Sequence, residues 1–113
     1  MLRGDVFLAD LSPTLGSEQT GRRPVVVVSR NAINANSPVV IVVPVTGREN
    51  KRHIYASQVF LTAGEGGLSK DSIVLGEQMR AISKKRLLTP LGHLPAQRIV
   101  ELNEALKITL DLP

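Results

Sequence analysis

Two runs of β-branched residues, Val25-Val26-Val27-Val28 and Val39 to Val45, constrain this chain more than any other feature. Branching at Cβ stiffens χ1 and crowds a helix, whereas the same side chains fit a pleated sheet. An unbroken apolar run, without polar alternation, reads as a strand covered on both faces or crossing beneath a barrel wall. The bias extends beyond the two runs: there are 13 valines and 7 isoleucines, against two Phe, one Tyr and no Trp. The expected core is therefore aliphatic and built mainly from strands.

Further strand-like segments surround these two. Val6 to Leu11 is apolar and stops at Ser12-Pro13, and a loop follows to Arg23, with Gly16 and Gly21 freeing the backbone. Ser29 to Pro38, with three asparagines, reads as a loop or short turn. Pro44, near the end of the second valine run, suggests an edge or a bulge. Gly47 to His53 is polar and basic and reads as an exposed loop. Ile54 to Leu61, Ser72 to Leu75 and Gln78 to Ile82 resemble strands, the first ended by the Gly64 to Gly67 turn. From Pro95 the period changes, and Ile99, Leu102, Leu106 and Leu110 recur at helical spacing. Five or more short strands followed by one amphipathic helix favour a small barrel or strongly bent sheet, because closure removes exposed edges. The helix is expected to cover its open side.

The 113 residues suit one domain, 1–113, with no linker or repeat. At 42% hydrophobic and 21% charged, the composition argues against disorder. The absence of cysteine excludes disulfides, zinc–thiolate sites and thiol nucleophiles. Two histidines, His53 and His93, leave little scope for metal chemistry or for a histidine acid–base pair. The ten acidic residues are scattered, unlike the clustered carboxylates of a two-metal nuclease, and no phosphate-cradling glycine motif precedes a helix. No apolar run nears the roughly 20 residues of a membrane span. Arg3, Asp5 and Asp10 interrupt any signal-peptide pattern, so the expected location is the cytoplasm. A domain this small also gains from a large apolar interface with a second copy.

Charge is uneven. Residues 1–94 carry 12 basic and 7 acidic side chains, whereas the last 19 residues carry 2 and 3. The basic excess thus belongs to the strand region. Within Gly16-Ser17-Glu18-Gln19-Thr20-Gly21-Arg22-Arg23-Pro24, Arg23 stands immediately before a proline that opens a buried strand. A guanidinium held there offers a fixed fork of donors suited to phosphate oxygens. The plainer reading has both arginines solvating a loop. Thr46, at the end of a strand beside Gly47, can present a hydroxyl to a cleft, although threonine is also a routine strand residue. Lys70-Asp71-Ser72, Glu77-Gln78-Met79-Arg80 and Lys84-Lys85-Arg86 read either as a nucleic-acid footprint or as a solvated face.

Gly4-Asp5-Val6, Gly16-Ser17-Glu18-Gln19, Gly21 with Arg23-Pro24, Val45-Thr46, Asp71-Ser72, Glu77-Gln78 and Leu91-Gly92, in this order and spacing, resemble the MazF/PemK toxins of toxin–antitoxin modules. The likeness runs from residue 3 into the terminal helix. It implies an SH3-like barrel and a homodimeric endoribonuclease that needs no metal or cofactor. Such an enzyme cuts single-stranded RNA at short sequences to a 2′,3′-cyclic phosphate and a 5′-hydroxyl, and an acidic antitoxin tail covers its site. By resemblance Arg23 and Thr46 fall on the catalytic positions, with Glu18 sometimes added, and Ser72 and Gln78 on the RNA groove. Gln19, Arg22, Arg48 and Arg80 complete the expected RNA contacts. Arg22 departs mildly from the family, placing a second charge beside Arg23 that either supports phosphate binding or competes for it. The Gly47–His53 loop, where members differ most, is the expected seat of base selectivity.

In that chemistry the substrate's own 2′-hydroxyl is the nucleophile. The protein's tasks are alignment, movement of two protons and stabilisation of charge on the phosphorus oxygens. Arginine is a poor base, so Arg23 is expected to stabilise charge and Glu18 to be the better candidate for a base. Stacking is limited to Phe7, Tyr55 and Phe60, so recognition is expected to rest on hydrogen bonds and arginine contacts. Two rival readings stay open: a gyrase poison of the same barrel fold, whose relatives act through a tryptophan-bearing C-terminus absent here, and a non-catalytic RNA-binding barrel.

Overall fold

The computed structural model describes residues 1–113. Its strands are β1 (Asp5–Asp10), β2 (Arg22–Val27), β3 (Val39–Gly47), β4 (Gln58–Leu61), β5 (Ser72–Leu75), β6 (Arg80–Ser83) and β7 (Leu87–His93). Helix α1 (Asn31–Asn36) separates β2 from β3, and α2 (Ala96–Leu110) follows β7. Both valine runs form strands, and every ladder is antiparallel.

Four segments differ from the sequence-based expectation. Within the loop expected over Ser29–Pro38, α1 forms because Asn34 reaches back: its Nδ2 donates to the Ser29 carbonyl at 2.8 Å. The Ser29 hydroxyl oxygen in turn accepts the Ile41 N–H at 3.1 Å. The first bond is local and the second spans twelve residues; neither leaves a trace in hydrophobic period. Gln78, the expected start of a strand, ends the 3₁₀ turn Gly76–Gln78 instead, so β6 begins at Arg80, and β4 begins only at Gln58. Strand β7 has no sequence signature. It carries Pro90 and Gly92, is mostly exposed, and pairs with β1 through two register shifts, as suits an edge.

The sheet order is β4-β5-β3-β2-β1-β7, with β6 paired to the first half of β3. Strand β3 is the hub: Val39–Val42 pair with β6, Val42–Pro44 with β2 and Val45–Gly47 with β5. Pro44, which has no N–H, therefore marks neither an edge nor a bulge. It falls where one neighbour of β3 is exchanged for the other. The expected barrel does not close by hydrogen bonds, since β4 and β7 are unpaired ends. Instead the 3₁₀ turn Glu65–Gly67 lies against β7. A Cβ on Gly92 would sit 2.7 Å from the Gly66 carbonyl carbon and 2.9 Å from the Gly67 nitrogen. Backbone rests on backbone at this seam.

Alternation along the valine strands divides the core in two. Val26, Val43 and Val45 join a cluster with Val6, Leu61 and Val74, covered by Leu102 and Ala105 of α2. Val25, Val27, Val40 and Val42 join Ala9, Leu11 and Ile82 on the other face. Burial on both faces is why these runs lack polar alternation. Helix α2 covers one open side, as its spacing predicts, although Leu110 at its end is exposed. Arg98 ties α2 to the body of the sheet. It bonds Glu65 and Glu101, each at 3.0 Å, and lies 5.9 Å above the Phe60 ring. The hydrogen bond to Glu101 and then that to Glu65 raise the Arg98 pKa above the ordinary arginine value, against partial burial.

Candidate active site

The register of β2 against β3 decides which side chains meet. Val25 pairs with Pro44. Continued two residues beyond this last pair, the same register sets Arg23 across from Thr46, and the two line one cleft of about 170 Å³. On the other side of β3, Gly47 pairs with Ser72 at the start of β5, and Ser72 joins the same lining. Arg22, Asn50, Ser69 and Lys70 complete its polar wall. Its lining includes three cations: Lys70 is paired with the Glu49 carboxylate beside the cleft, and Arg22 and Arg23 form no ion pair. The surface is net positive and suited to a polyanion.

Each polar group has a defined state. Arg23 is half-buried, and its Nε donates to the Thr20 carbonyl at 3.2 Å. That bond orients the guanidinium and leaves both Nη groups without a protein partner. Thr46 is buried, and its hydroxyl oxygen accepts the Asn50 Nδ2–H at 3.1 Å. Ser72 is also buried and donates its hydroxyl proton to the Lys70 carbonyl at 2.9 Å, so it faces a ligand as an acceptor. Lys70 pairs with Glu49 at 2.6 Å. The hydrogen bond from Lys70, aided by the local backbone, holds the exposed Glu49 carboxylate below its ordinary pKa.

A second cavity of about 260 Å³ is lined by Glu18, Gln19, Pro44, Glu77, Gln78, Met79 and Arg80. The structure thus brings Arg22, Arg23, Thr46 and Ser72 together, and places Glu18, Gln19, Gln78 and Arg80 next door. Glu18 is exposed, and its carboxylate accepts the Leu15 N–H at 3.3 Å. Gln78 fastens the β1–β2 loop: its Oε1 accepts the Gln19 N–H at 2.8 Å and its Nε2 donates to the Ser17 carbonyl at 3.3 Å. Arg80 and Arg86 hold the foot of that loop, donating to the carbonyls of Leu11 at 3.4 Å and Asp10 at 3.1 Å. The Gln19 Oε1 is buried without a hydrogen-bond partner. Arg48 lines neither space; its guanidinium closes its own turn on the Lys51 carbonyl. Of the aromatic rings, Phe60 lies beneath Arg98 and Phe7 packs on the second core cluster, which leaves Tyr55 exposed.

Asn50 and Ser69 are cleft residues that the sequence reading passed over. Asn50 was grouped with the basic Gly47–His53 loop. Its signal was the four-residue separation from Thr46 across a glycine, which lets a single 3₁₀ turn (Arg48–Asn50) fold the amide back onto the hydroxyl. No group of three or more His, Cys, Asp or Glu side chains converges anywhere in the chain. No helix is long and apolar enough to cross a membrane.

Comparison with known proteins shows the family and the fold. The family of PemK-like, MazF-like toxins of type II toxin–antitoxin systems matches residues 2–110. Endoribonuclease MazF of Staphylococcus saprophyticus is 46% identical over 112 residues, covering 99% of this chain and 92% of that protein. The crystal structure of MazF from Deinococcus radiodurans superposes with a TM-score of 0.84 at 29% identity, covering 99% of this chain and 97% of that one. A mycobacterial endoribonuclease in complex with its cognate antitoxin superposes with a TM-score of 0.82 at 26% identity, covering 100% and 97%.

Proposed function

Because the chain belongs to the family of PemK-like, MazF-like toxins, we propose that it is the endoribonuclease toxin of a type II toxin–antitoxin pair and cleaves single-stranded RNA in the Arg23–Thr46 cleft. The observation that carries this reading is the pairing of a guanidinium with both Nη groups unpartnered and a hydroxyl set opposite it, in a cleft without carboxylates.

In the proposed reaction the 2′-oxygen of the RNA forms a bond to the adjacent phosphorus while the bond to the 5′-oxygen breaks. A base takes the 2′-hydroxyl proton, and the departing 5′-oxygen takes one from solvent. The products are a 2′,3′-cyclic phosphate and a 5′-hydroxyl. Arg23 and Thr46 donate to the non-bridging oxygens, where negative charge accumulates. Arg22 and Lys70 hold flanking phosphates. Glu18 is the proposed base; since it lines the neighbouring cavity, this role requires movement of the loop that carries it. Gln19, Gln78 and Arg80 shape the path of the strand beside the cleft, and the Arg48 turn contributes to base selectivity. The route uses no metal and no cofactor. We further propose that residues 1–113 act as one toxin domain in a cytoplasmic homodimer restrained by a cognate antitoxin.

Purified protein incubated with mixed-sequence RNA is expected to yield discrete fragments ending in cyclic phosphate, at the same rate with and without EDTA. Intact RNA would overturn the function, and loss of cutting with EDTA would overturn the metal-free route. Binding to a strand made uncleavable by a 2′-deoxy substitution is expected to weaken with salt. Each neutralised phosphate contributes a slope of about −0.7 in log K against log salt. A flat response would contradict recognition through Arg22, Arg23 and Lys70.

A further inference from the structure

We propose that Asn50 is a positioning residue that sets which way the Thr46 hydroxyl points its proton, an assignment that rests on the endoribonuclease reading above. An amide NH₂ can only donate, and a hydroxyl has one proton to give. With the Thr46 oxygen accepting from Asn50 Nδ2, the Thr46 proton is directed away from Asn50, and no acceptor in the protein takes it. Thr46 is thereby made a donor before any ligand arrives. A donor fixed in advance at a point where negative charge develops is worth more than one that must first turn.

The turn that carries Asn50 is built to hold it still. The Arg48 N–H donates to the Asp71 carbonyl at 3.0 Å, anchoring the turn to the segment before β5. The Lys51 N–H donates to the Arg48 carbonyl at 3.1 Å, and the Arg48 guanidinium caps the Lys51 carbonyl. Lys70 braces the turn from outside through Glu49. The Glu49 side chain folds back over Gly47, its carboxyl carbon 2.6 Å from where a Cβ on Gly47 would stand. Arg48, which the sequence suggested as an RNA contact, here serves the geometry of Asn50.

The test compares two substitutions that rank in opposite order for a positioning role and a packing role. Asn50→Asp keeps the shape, but its carboxylate only accepts, so it draws the Thr46 proton back out of the cleft. Asn50→Ala removes the partner and leaves the hydroxyl free to rotate. At neutral pH and saturating RNA, Asn50→Asp is expected to lower kcat by roughly 10–100-fold, short of the roughly 10²–10³-fold cost of removing a donor to developing charge outright. Asn50→Ala is expected to lower it only a few-fold. In a Thr46→Val background, Asn50→Asp should change kcat by less than about twofold, because residues acting through one another are not additive. Thermal melts identify any variant that fails to fold. Wild type that cuts RNA, with Asn50→Ala the worse variant or with undiminished loss in the Thr46→Val background, would overturn the positioning role alone. Wild type that leaves RNA intact would overturn the function with it.

Discussion

Arg23→Ala is expected to slow RNA cleavage by at least roughly 10²–10³-fold, the scale seen when one donor to a developing negative charge is removed. The melting temperature should be nearly unchanged. The side chain makes one hydrogen bond, to a loop carbonyl, and belongs to neither core cluster. Arg23→Lys should recover little, because an ammonium is a point charge and cannot present two parallel donors to a phosphate. Single-turnover cleavage of a short RNA, read beside a melting curve, checks both statements. Full activity in the alanine variant would remove Arg23 from the chemistry.

The second large effect concerns stability. Gly64 and Gly67 both have positive φ, +97° and +76°. Alanine at either position carries the backbone strain of that region, on the order of 1–2 kcal/mol. Around Gly64 nothing lies within 4 Å of an added Cβ, whereas at Gly67 it would run into the Leu91 carbonyl of β7. Gly67→Ala is therefore expected to cost about 1–3 kcal/mol more than Gly64→Ala, the usual range for forcing atoms into filled space. In a domain of this size that difference lowers Tm on the order of 10 °C. Equal melting of the two variants would show that the seam between the Glu65–Gly67 turn and β7 yields without cost.

The strands that sequence reading found are those whose pattern records burial. Val25–Val28 and Val39–Val45 are apolar throughout because their alternate residues enter different clusters. Strand β7 went unread because it sits at an edge with five of its seven residues exposed, and only Leu87 and Leu91 pack on the core clusters, too few to set a period. Helix α1 went unread because it is held by Asn34 on Ser29, a contact between an amide and a backbone carbonyl. At the site, the types and order of Arg23, Thr46 and Ser72 were legible, but their meeting was not. It depends on the Val25–Pro44 and Gly47–Ser72 registers, which no residue pattern states. The polar types of Glu18 and Gln78 were legible; the packing of the β1–β2 loop on the Gly76–Gln78 turn, and hence their shared cavity beside the cleft, is a tertiary fact. Asn50 was overlooked because a lone asparagine in a basic loop resembles any solvated residue.

Strand β3 reaches one set of neighbours through its first half and another through its second, and Thr46 sits in the second half. A ribosome emitting this chain has delivered Arg23 and Thr46 well before residues 72–75, which must pair with Val45–Gly47 to complete the wall. The order of synthesis therefore leaves the proposed cleft without its third wall until β5 has emerged.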